Sequence, residues 1–189
     1  MMNTLTPVKA SPALRGRTGV LREILAVAGG AALLALFAQA RLILPWTPVP
    51  ITGQTLGVLF VGAMLGARSG SKAVMAYILA GAAGLPVFAG FAGGLAWLLG
   101  PTGGYIIGFL PAVWIMGLAA DRNWLKSPWK TGLAIVAAHS VIYAMGCLQL
   151  GVFVPRPVEL GVLPFLLPDA LKALAAIGMI KAGDVLLRR

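Results

Sequence analysis

The sequence predicts an all-α integral membrane protein, a six-transmembrane-helix bundle with both termini in the cytoplasm. Its 189 residues are 59% hydrophobic and only 11% charged, whereas soluble domains are roughly 25% charged. The mean hydropathy of +0.92 also excludes a disordered chain, because disorder requires low hydrophobicity. Basic residues stand in short clusters between apolar stretches, as they do in the cytoplasmic loops of membrane proteins. The length leaves no room for a second large domain beside the bundle.

Six apolar stretches organise the chain into a cytoplasmic amino-terminal tail (1–23) and a single membrane domain (24–189). The first stretch, 24–44, is long enough to cross a bilayer of about 30 Å at about 1.5 Å per residue. The second and third stretches are short for simple spans, so we expect them to be kinked, tilted or extended into neighbouring loops. The other five stretches are 53–67, 73–85, 104–120, 131–154 and 164–187.

Twelve of the fifteen basic residues lie on one side of the predicted bundle. They occupy the tail, the loops 68–72 and 121–130, and the carboxyl end, whereas the loops on the opposite side hold only Arg156. Because cytoplasmic loops carry an excess of Lys and Arg, this asymmetry predicts that both termini are cytoplasmic. The external loops are then 45–52, 86–103 and 155–161.

Small residues recur at a four-residue spacing in the first apolar stretch, where Ala28 pairs with Ala32 and Ala31 with Ala35. Residues at this spacing share one helix face and let two backbones approach closely. Packing inside the bundle explains any single pair. A docking face for a membrane partner is the alternative.

Polar residues are predicted to converge at the external side of the bundle. Asp169 and Lys172 lie inside the sixth apolar stretch, where a charge costs several kcal/mol unless it is paired or faces a wet cavity. Their i, i+3 spacing puts them on one helix face. Arg41 lies near the outer end of the first stretch, and Thr52 and Gln54 begin the second stretch on the same side.

The three charges among these residues sum to +1, which suits one bound anionic group. A carboxylate would accept hydrogen bonds from Lys172 or Arg41, and Asp169 or Gln54 would then hold a neutral part of the ligand that offers N–H donors. The alternative is that Asp169 and Lys172 only neutralise each other, while Arg41 extends to the membrane interface.

The external loop 86–103 is uncharged and rich in glycine and aromatic residues. It is too apolar to lie comfortably in water and too interrupted for a regular span, so we expect a re-entrant segment or a lid over a cavity. Phe88, Phe91 and Trp97 would cover an apolar ligand, although anchoring at the membrane interface also explains them.

The sequence predicts no catalytic residue and no metal site. His139 is the only histidine and Cys147 the only cysteine, and no third ligand stands beside them. We expect His139 to be hydrogen-bonded within the bundle. A G-x-x-x-x-G-K-S/T motif is absent, which excludes ATP hydrolysis by the usual P-loop route. The basic clusters belong to membrane loops, so we expect no nucleic-acid partner.

Four segments resemble a known family. In this order and spacing they are similar to the BioY family, the biotin-binding membrane subunits of energy-coupling factor (ECF) transporters. The likeness runs from about residue 24 to residue 187, so the tail lies outside it. The segments are 48–57 (PVPITGQTLG), 84–94 (GLPVFAGFAGG), 100–105 (GPTGGY) and 169–172 (DALK).

The resemblance implies a six-helix S component in the bacterial cytoplasmic membrane, which binds biotin with high affinity from the external side. Its implied partners are a transmembrane coupling protein and a pair of ABC-type ATPases, so that this chain needs no cofactor and is not an enzyme. The small-residue face of the first helix would dock the coupling protein, and both alanine pairs fit that role. A stand-alone secondary carrier for biotin or another small carboxylate is the alternative.

The resemblance also implies a set of substrate-binding residues. The single carboxylate of biotin matches the charge balance of +1, and its ureido N–H groups suit Asp169 or Gln54. Tyr77 is a further candidate that core packing explains equally well. Carried over by motif, the pocket residues are Thr52, Gln54, Gly93, Gly94, Tyr105, Asp169 and Lys172, with Arg41 added on the ground of charge.

Overall fold

A computed structural model describes residues 12–187 of the chain, and the side chains of residues 19–178. Helices dominate, and one short two-stranded ladder joins the first two of them. The elements in chain order are α1 (Pro12–Gln39), β1 (Arg41–Leu42), β2 (Ile51–Thr52), α2 (Gln54–Ala82), α3 (Leu95–Leu99), α4 (Gly103–Asp121), a 3-10 turn (Trp124–Lys126), α5 (Pro128–Leu150), α6 (Pro157–Gly161) and α7 (Leu163–Leu187).

Four helical segments within the described residues are long and apolar enough to cross a membrane. They are Gly19–Gln39, Gly103–Asp121, Pro128–Leu150 and Pro157–Gly178. The first segment is part of α1, which already begins at Pro12 and so reaches into the predicted tail. Most of the second and third apolar stretches of the sequence (53–67 and 73–85) lies in α2.

The α2 segment is a helical hairpin and not one straight helix. Gly66 adopts φ 71° and ψ −179°, a backbone conformation that only glycine enters readily. Beyond it the chain folds back, so that a Cβ atom on Gly70 would lie 3.5 Å from the Cα of Gly62. Gln54 and Tyr77 are hydrogen-bonded at 2.6 Å, although a straight helix would separate them by about 35 Å.

The chain therefore reverses at Gly66, and the predicted loop at 68–72 is wrong because those residues are helical. The second arm of the hairpin is capped by Asp121 from the end of α4, whose Oδ2 accepts the backbone N–H of Ala67 at 3.1 Å. A carboxylate at this position satisfies an otherwise unpaired helical N–H and complements the positive end of the helix dipole.

The centre of the bundle is formed by α2, α4 and α5. Glycines on α4 allow these helices to approach closely, as small residues do in membrane bundles. A Cβ atom on Gly117 would overlap the backbone of Ala67 in α2, and one on Gly108 would lie 3.1 Å from the Cα of Ile142 in α5. These contacts fix the three helices that carry most of the cavity described below.

Three irregular connections lie at the end of the bundle that holds this cavity. β1 and β2 pair antiparallel, with Arg41 opposite Thr52. The connection after α2 forms a tight turn with a bridge between Phe88 and Ala92, followed by α3. The third connection leads from α5 through the short helix α6 to α7, which begins at Leu163. Pro168 lies in the interior of α7, where proline cannot donate the usual backbone hydrogen bond.

Candidate substrate-binding site

A cavity lies between the first arm of α2, α4, α5 and α7, beneath the connection that contains α3. The space accessible to water inside it is about 60 Å³, and the wider space between the protein atoms, part of which is open to solvent, is about 630 Å³. Its wall is mainly apolar, and its polar side chains come from β2, α2, α4, α5 and α7 and from Thr102, which precedes α4.

Asp169 provides a buried carboxylate at the cavity wall, with only 4% of the residue exposed. Its Oδ1 accepts hydrogen bonds from Lys172 Nζ at 2.7 Å and Thr55 Oγ1 at 2.9 Å. Its Oδ2 accepts the Tyr143 hydroxyl at 2.6 Å. A buried carboxylate is tolerated when it is paired and hydrogen-bonded in this way.

The ammonium group of Lys172 is fully occupied within the protein. Besides its bond to Asp169, Nζ donates to the backbone carbonyl of Thr52 at 2.5 Å and to Thr55 Oγ1 at 3.2 Å. A lysine ammonium has three N–H donors, and these contacts use all of them. Lys172 and Asp169 thus neutralise each other, which is one of the two interpretations that the sequence allows. Both residues also line the cavity.

Thr52 and Gln54 line the same cavity, as the sequence predicts for an outer cluster of polar residues. The Thr52 hydroxyl donates to Gln54 Oε1 at 3.1 Å, and Gln54 Nε2 donates to the Tyr77 hydroxyl at 2.6 Å. Tyr77 itself does not line the cavity. Its ring packs edge-on against Phe88 with 5.5 Å between ring centroids, so it supports two residues that do line it.

Tyr105 forms part of the wall, with its hydroxyl already engaged. It donates to the backbone carbonyl of Gly161 at 2.9 Å. Its ring lies against Gly146, where any Cβ atom would overlap the ring. Tyr105 therefore presents an aromatic face to the cavity and braces α6 against α4.

Two of the three aromatic residues that are expected to cover a ligand line the cavity. Phe88 and Trp97 line the cavity, and the Phe88 ring is packed against Gly81, where a Cβ atom would overlap it. Phe91 is 72% exposed and is not part of the wall. The connection after α2 thus covers the cavity through Phe88 and Trp97 and not through Phe91.

The glycine pair Gly93–Gly94 lies outside the cavity wall. A Cβ atom on Gly93 would overlap the carbonyl of Leu85, and the N–H of Gly94 donates to the carbonyl of Gly81 at 2.7 Å. Both glycines therefore allow the connection to pack on the end of α2.

Arg41 is exposed and also lies outside the wall. Its guanidinium group lies directly against the backbone of Gly90. Ala89, the neighbour of Gly90, does line the cavity. Arg41 therefore stands at the rim of the cavity, next to the connection that follows α2.

Three residues around Asp169 escaped the sequence analysis as site residues: Thr55, Tyr143 and His139. His139 is hydrogen-bonded within the bundle, as predicted, because its Nδ1 lies 3.0 Å from the carbonyl of Ile135. Its Nε2 lies 3.8 Å from Asp169 Oδ2, which is too far for a hydrogen bond. The sequence signal for two of them is the i, i+4 spacing of His139 and Tyr143 on a largely apolar helix. Across the described side chains, no group of three His, Cys, Asp or Glu residues could hold a metal ion.

The two alanine pairs of α1 face different directions. Ala28 and Ala32 are exposed, whereas Ala31 and Ala35 pack against the core. A Cβ atom on the adjacent Gly29 would meet nothing within 4 Å. The Ala28–Ala32 face is therefore open to a neighbour in the membrane.

Comparison with known proteins connects this site to one family. A sequence model of the BioY family matches residues 3–189. The probable biotin transporter BioY of Pyrococcus horikoshii is 44% identical over 133 residues, which cover 69% of this chain and 77% of that protein. The biotin transporter BioY of Thermotoga maritima is 39% identical over 137 residues, covering 70% and 79%.

A solved structure shares the fold. It is described as the S-component for biotin from an ECF-type ABC transporter, and it matches with a TM-score of 0.78 over 96% of both chains at 21% sequence identity. The family match spans nearly the whole sequence, and the chain belongs to the BioY family.

Proposed function

We propose that this protein is the high-affinity biotin-binding subunit, or S component, of an ECF-type ABC transporter, and that it captures the vitamin from the external side for uptake. Its family membership and the names of its relatives support this function. The observation that carries it is the ion pair between the partly buried Lys172 and the buried Asp169 at the wall of the cavity. The chain is a transport subunit and not an enzyme, with biotin as the transported ligand.

We further propose that six segments span the cytoplasmic (inner) membrane. They are α1, the two arms of α2, α4, α5 and α7, which places both termini on one side. The reversal at Gly66 supports two spans within α2. The concentration of twelve of fifteen basic residues on one side supports cytoplasmic termini.

The ureido ring of biotin is the part that the Asp169–Lys172 pair would bind. A ureido group has two N–H donors and one carbonyl acceptor. Asp169 offers acceptor oxygens at this point of the wall, and the ureido carbonyl would replace Thr55 Oγ1 as one of the three acceptors of Lys172 Nζ. The neutral ring can share their hydrogen bonds without leaving an unbalanced charge in the membrane.

The carboxylate of biotin is assigned to Arg41. The charge of Lys172 is neutralised by Asp169, so the net positive charge of the three residues belongs to Arg41. At the exposed rim a carboxylate keeps part of its hydration, which avoids the large cost of burying an ion. Between the two ends, Phe88, Trp97 and Phe109 provide an apolar wall for the thiophane ring and the chain.

The proposed partners are a transmembrane coupling protein, which would dock on the Ala28–Ala32 face of α1, and separate ABC-type ATPase subunits that hydrolyse ATP. Ala28 and Ala32 are exposed, whereas Ala31 and Ala35 are partly buried against the core, and this difference supports the choice of the first pair.

The experiment that tests this function is uptake of labelled biotin into cells that lack their own biotin transporter. Cells with this chain and the coupling and ATPase subunits should accumulate biotin, and omission of the ATPases should abolish uptake against a gradient. Equal accumulation without the ATPases would indicate a stand-alone carrier. Absence of biotin binding by the purified chain would refute the function.

A further inference from the structure

Two glutamines fasten the cover of the cavity, which comprises residues 86–102. Gln39, the last residue of α1, holds the segment 88–91. Gln149, near the end of α5, holds the segment 98–100. Neither residue lines the cavity, and the proposed contacts to biotin use neither of them.

The Gln39 amide uses both of its N–H donors and its carbonyl oxygen on two structural elements. Its Nε2 donates to the Phe88 carbonyl at 3.2 Å and to the Ala35 carbonyl, one turn back on α1, at 3.0 Å. Its Oε1 accepts the backbone N–H of Phe91 at 3.0 Å. One side chain thereby joins the end of α1 to both sides of the turn in the cover.

This turn needs an external support because its backbone is strained. Gly90 and Phe91 have consecutive positive φ angles of 75° and 57°. For a bulky residue such as phenylalanine a positive φ is unfavourable and persists only where the surroundings hold it. The Phe91 side chain is 72% exposed, so its packing provides little support. The bond from its N–H to Gln39 acts directly on the strained residue.

The position of this turn determines whether the cavity is closed. Phe88 and Ala89 are part of the cavity wall. The carbonyl of Phe88 is held by Gln39, and its ring is buried against Tyr77 and Gly81. Because the Phe88 ring remains anchored, loss of the Gln39 bonds would free residues 89–91, including the wall residue Ala89, to move away from the cavity.

The other end of the cover is held more firmly. Gln149 Nε2 donates to the carbonyls of Leu98 and Gly100 at 2.8 Å and 2.6 Å. Close backbone contact of Gly103 and Gly104 with the cover and with α5 leaves no space for a Cβ atom there. The bond between Gln39 and the Phe91 N–H is exposed, so opening is expected at the Gln39 end.

We infer that Gln39 is a positioning residue that keeps the segment 88–91 closed over the cavity and so sets the rate at which bound biotin leaves. The inference rests on the proposed function for the identity of the ligand. Closure of the segment itself is independent of that identity.

The test compares Gln39→Met, which keeps the length of the side chain but removes its hydrogen bonds, with Leu36→Met as a control on the exposed side of the same helix. Dissociation of labelled biotin from the purified protein in nanodiscs is measured after addition of excess unlabelled biotin. Gln39→Met should dissociate at least tenfold faster, with an association rate within threefold of the parent, and Leu36→Met should match the parent. Gln39→Glu, which retains the acceptor for the Phe91 N–H, should lie between the two.

A second readout needs no biotin. A spin label is attached to Phe91→Cys in a Cys147→Ser background, and its mobility is compared with and without Gln39→Met. The mobility should rise when Gln39 is replaced. A parent-like dissociation rate or an unchanged label mobility would overturn the inference. A parent protein that binds no biotin would refute the proposed function, and the label mobility would then decide the role of Gln39.

Discussion

The Lys172 ammonium group lies 2.7 Å from Asp169 Oδ1, and both residues stand one turn apart on α7 at the wall of the cavity. The pair is neutral as a unit and is completed by Thr55 and Tyr143. Such a unit can exchange hydrogen bonds with a neutral polar group while no charge is left unpaired in the membrane. We therefore propose that the ureido ring binds at α7 and that the carboxylate of biotin binds at Arg41.

Replacement of Tyr143 with phenylalanine tests whether Asp169 must be held in place for binding. The Tyr143 hydroxyl bonds to Asp169 Oδ2 at 2.6 Å, and hydrogen bonds to charged groups contribute about 1.5–3 kcal/mol. Tyr143→Phe should therefore weaken biotin binding about tenfold or more in an equilibrium titration. Tyr105→Phe is the matched control, because that hydroxyl bonds to Gly161 and not to Asp169. Equal losses in both variants would argue against a specific role for Tyr143.

The assignment of the carboxylate predicts a ligand-dependent effect at Arg41. Arg41→Ala should weaken the binding of biotin about fivefold, as expected for an exposed ion pair, and should leave the binding of biotin methyl ester unchanged. The difference should shrink at high salt because exposed charges are screened. If the ester loses as much affinity as biotin itself, Arg41 does not bind the carboxylate.

Docking on α1 can be tested by adding volume to its exposed small-residue face. Ala32→Leu should reduce co-purification of the coupling protein, because the larger side chain prevents close backbone approach. Ala175→Leu, on an exposed position of α7, is the control and should retain the coupling protein. Both variants should bind biotin like the parent. Full co-purification with Ala32→Leu would exclude this face as the docking site.

The reversal of α2 predicts a stability effect at Gly66. Gly66→Ala should lower the free energy of unfolding by about 1–3 kcal/mol, because alanine disfavours a φ of 71° and its Cβ would overlap Asp121. Gly132→Ala is the control, since a Cβ atom there meets nothing within 4 Å. Thermal unfolding in detergent measures both. An unchanged midpoint for Gly66→Ala would contradict the observed backbone conformation.

The sequence identified most polar residues of the cavity because charged and amide side chains are rare within apolar stretches. Asp169, Lys172, Thr52 and Gln54 were predicted on that ground and all line the cavity. The prediction of a loop at 68–72 is wrong because the basic residues on which it rests, Arg68 and Lys72, stand beyond Gly66 inside the second arm.

Other features depend on contacts between distant segments and left no local signal. Nothing in the sequence distinguishes Gln39 from other glutamines at helix ends. Its role follows from its hydrogen bonds to the turn at 88–91, which form only in the folded chain. The placement of Arg41 at the rim, and of Gly93 against the end of α2, likewise follows from how the connections fold. Sequence motifs therefore predict the family and the ligand, but they do not predict which residues contact one another in the folded chain.

The most direct test of the account is a titration of the purified protein and of Lys172→Met with biotin and with biotin methyl ester. The double variant Asp169→Asn/Lys172→Met, which leaves no unpaired charge, serves as a control for folding. The parent should bind biotin saturably. Both variants should bind biotin at least about tenfold more weakly than the parent does. In each variant, the loss of affinity should be the same for the methyl ester as for biotin. Binding of biotin by Lys172→Met with the affinity of the parent would contradict the central claim that the Asp169–Lys172 pair holds the ligand.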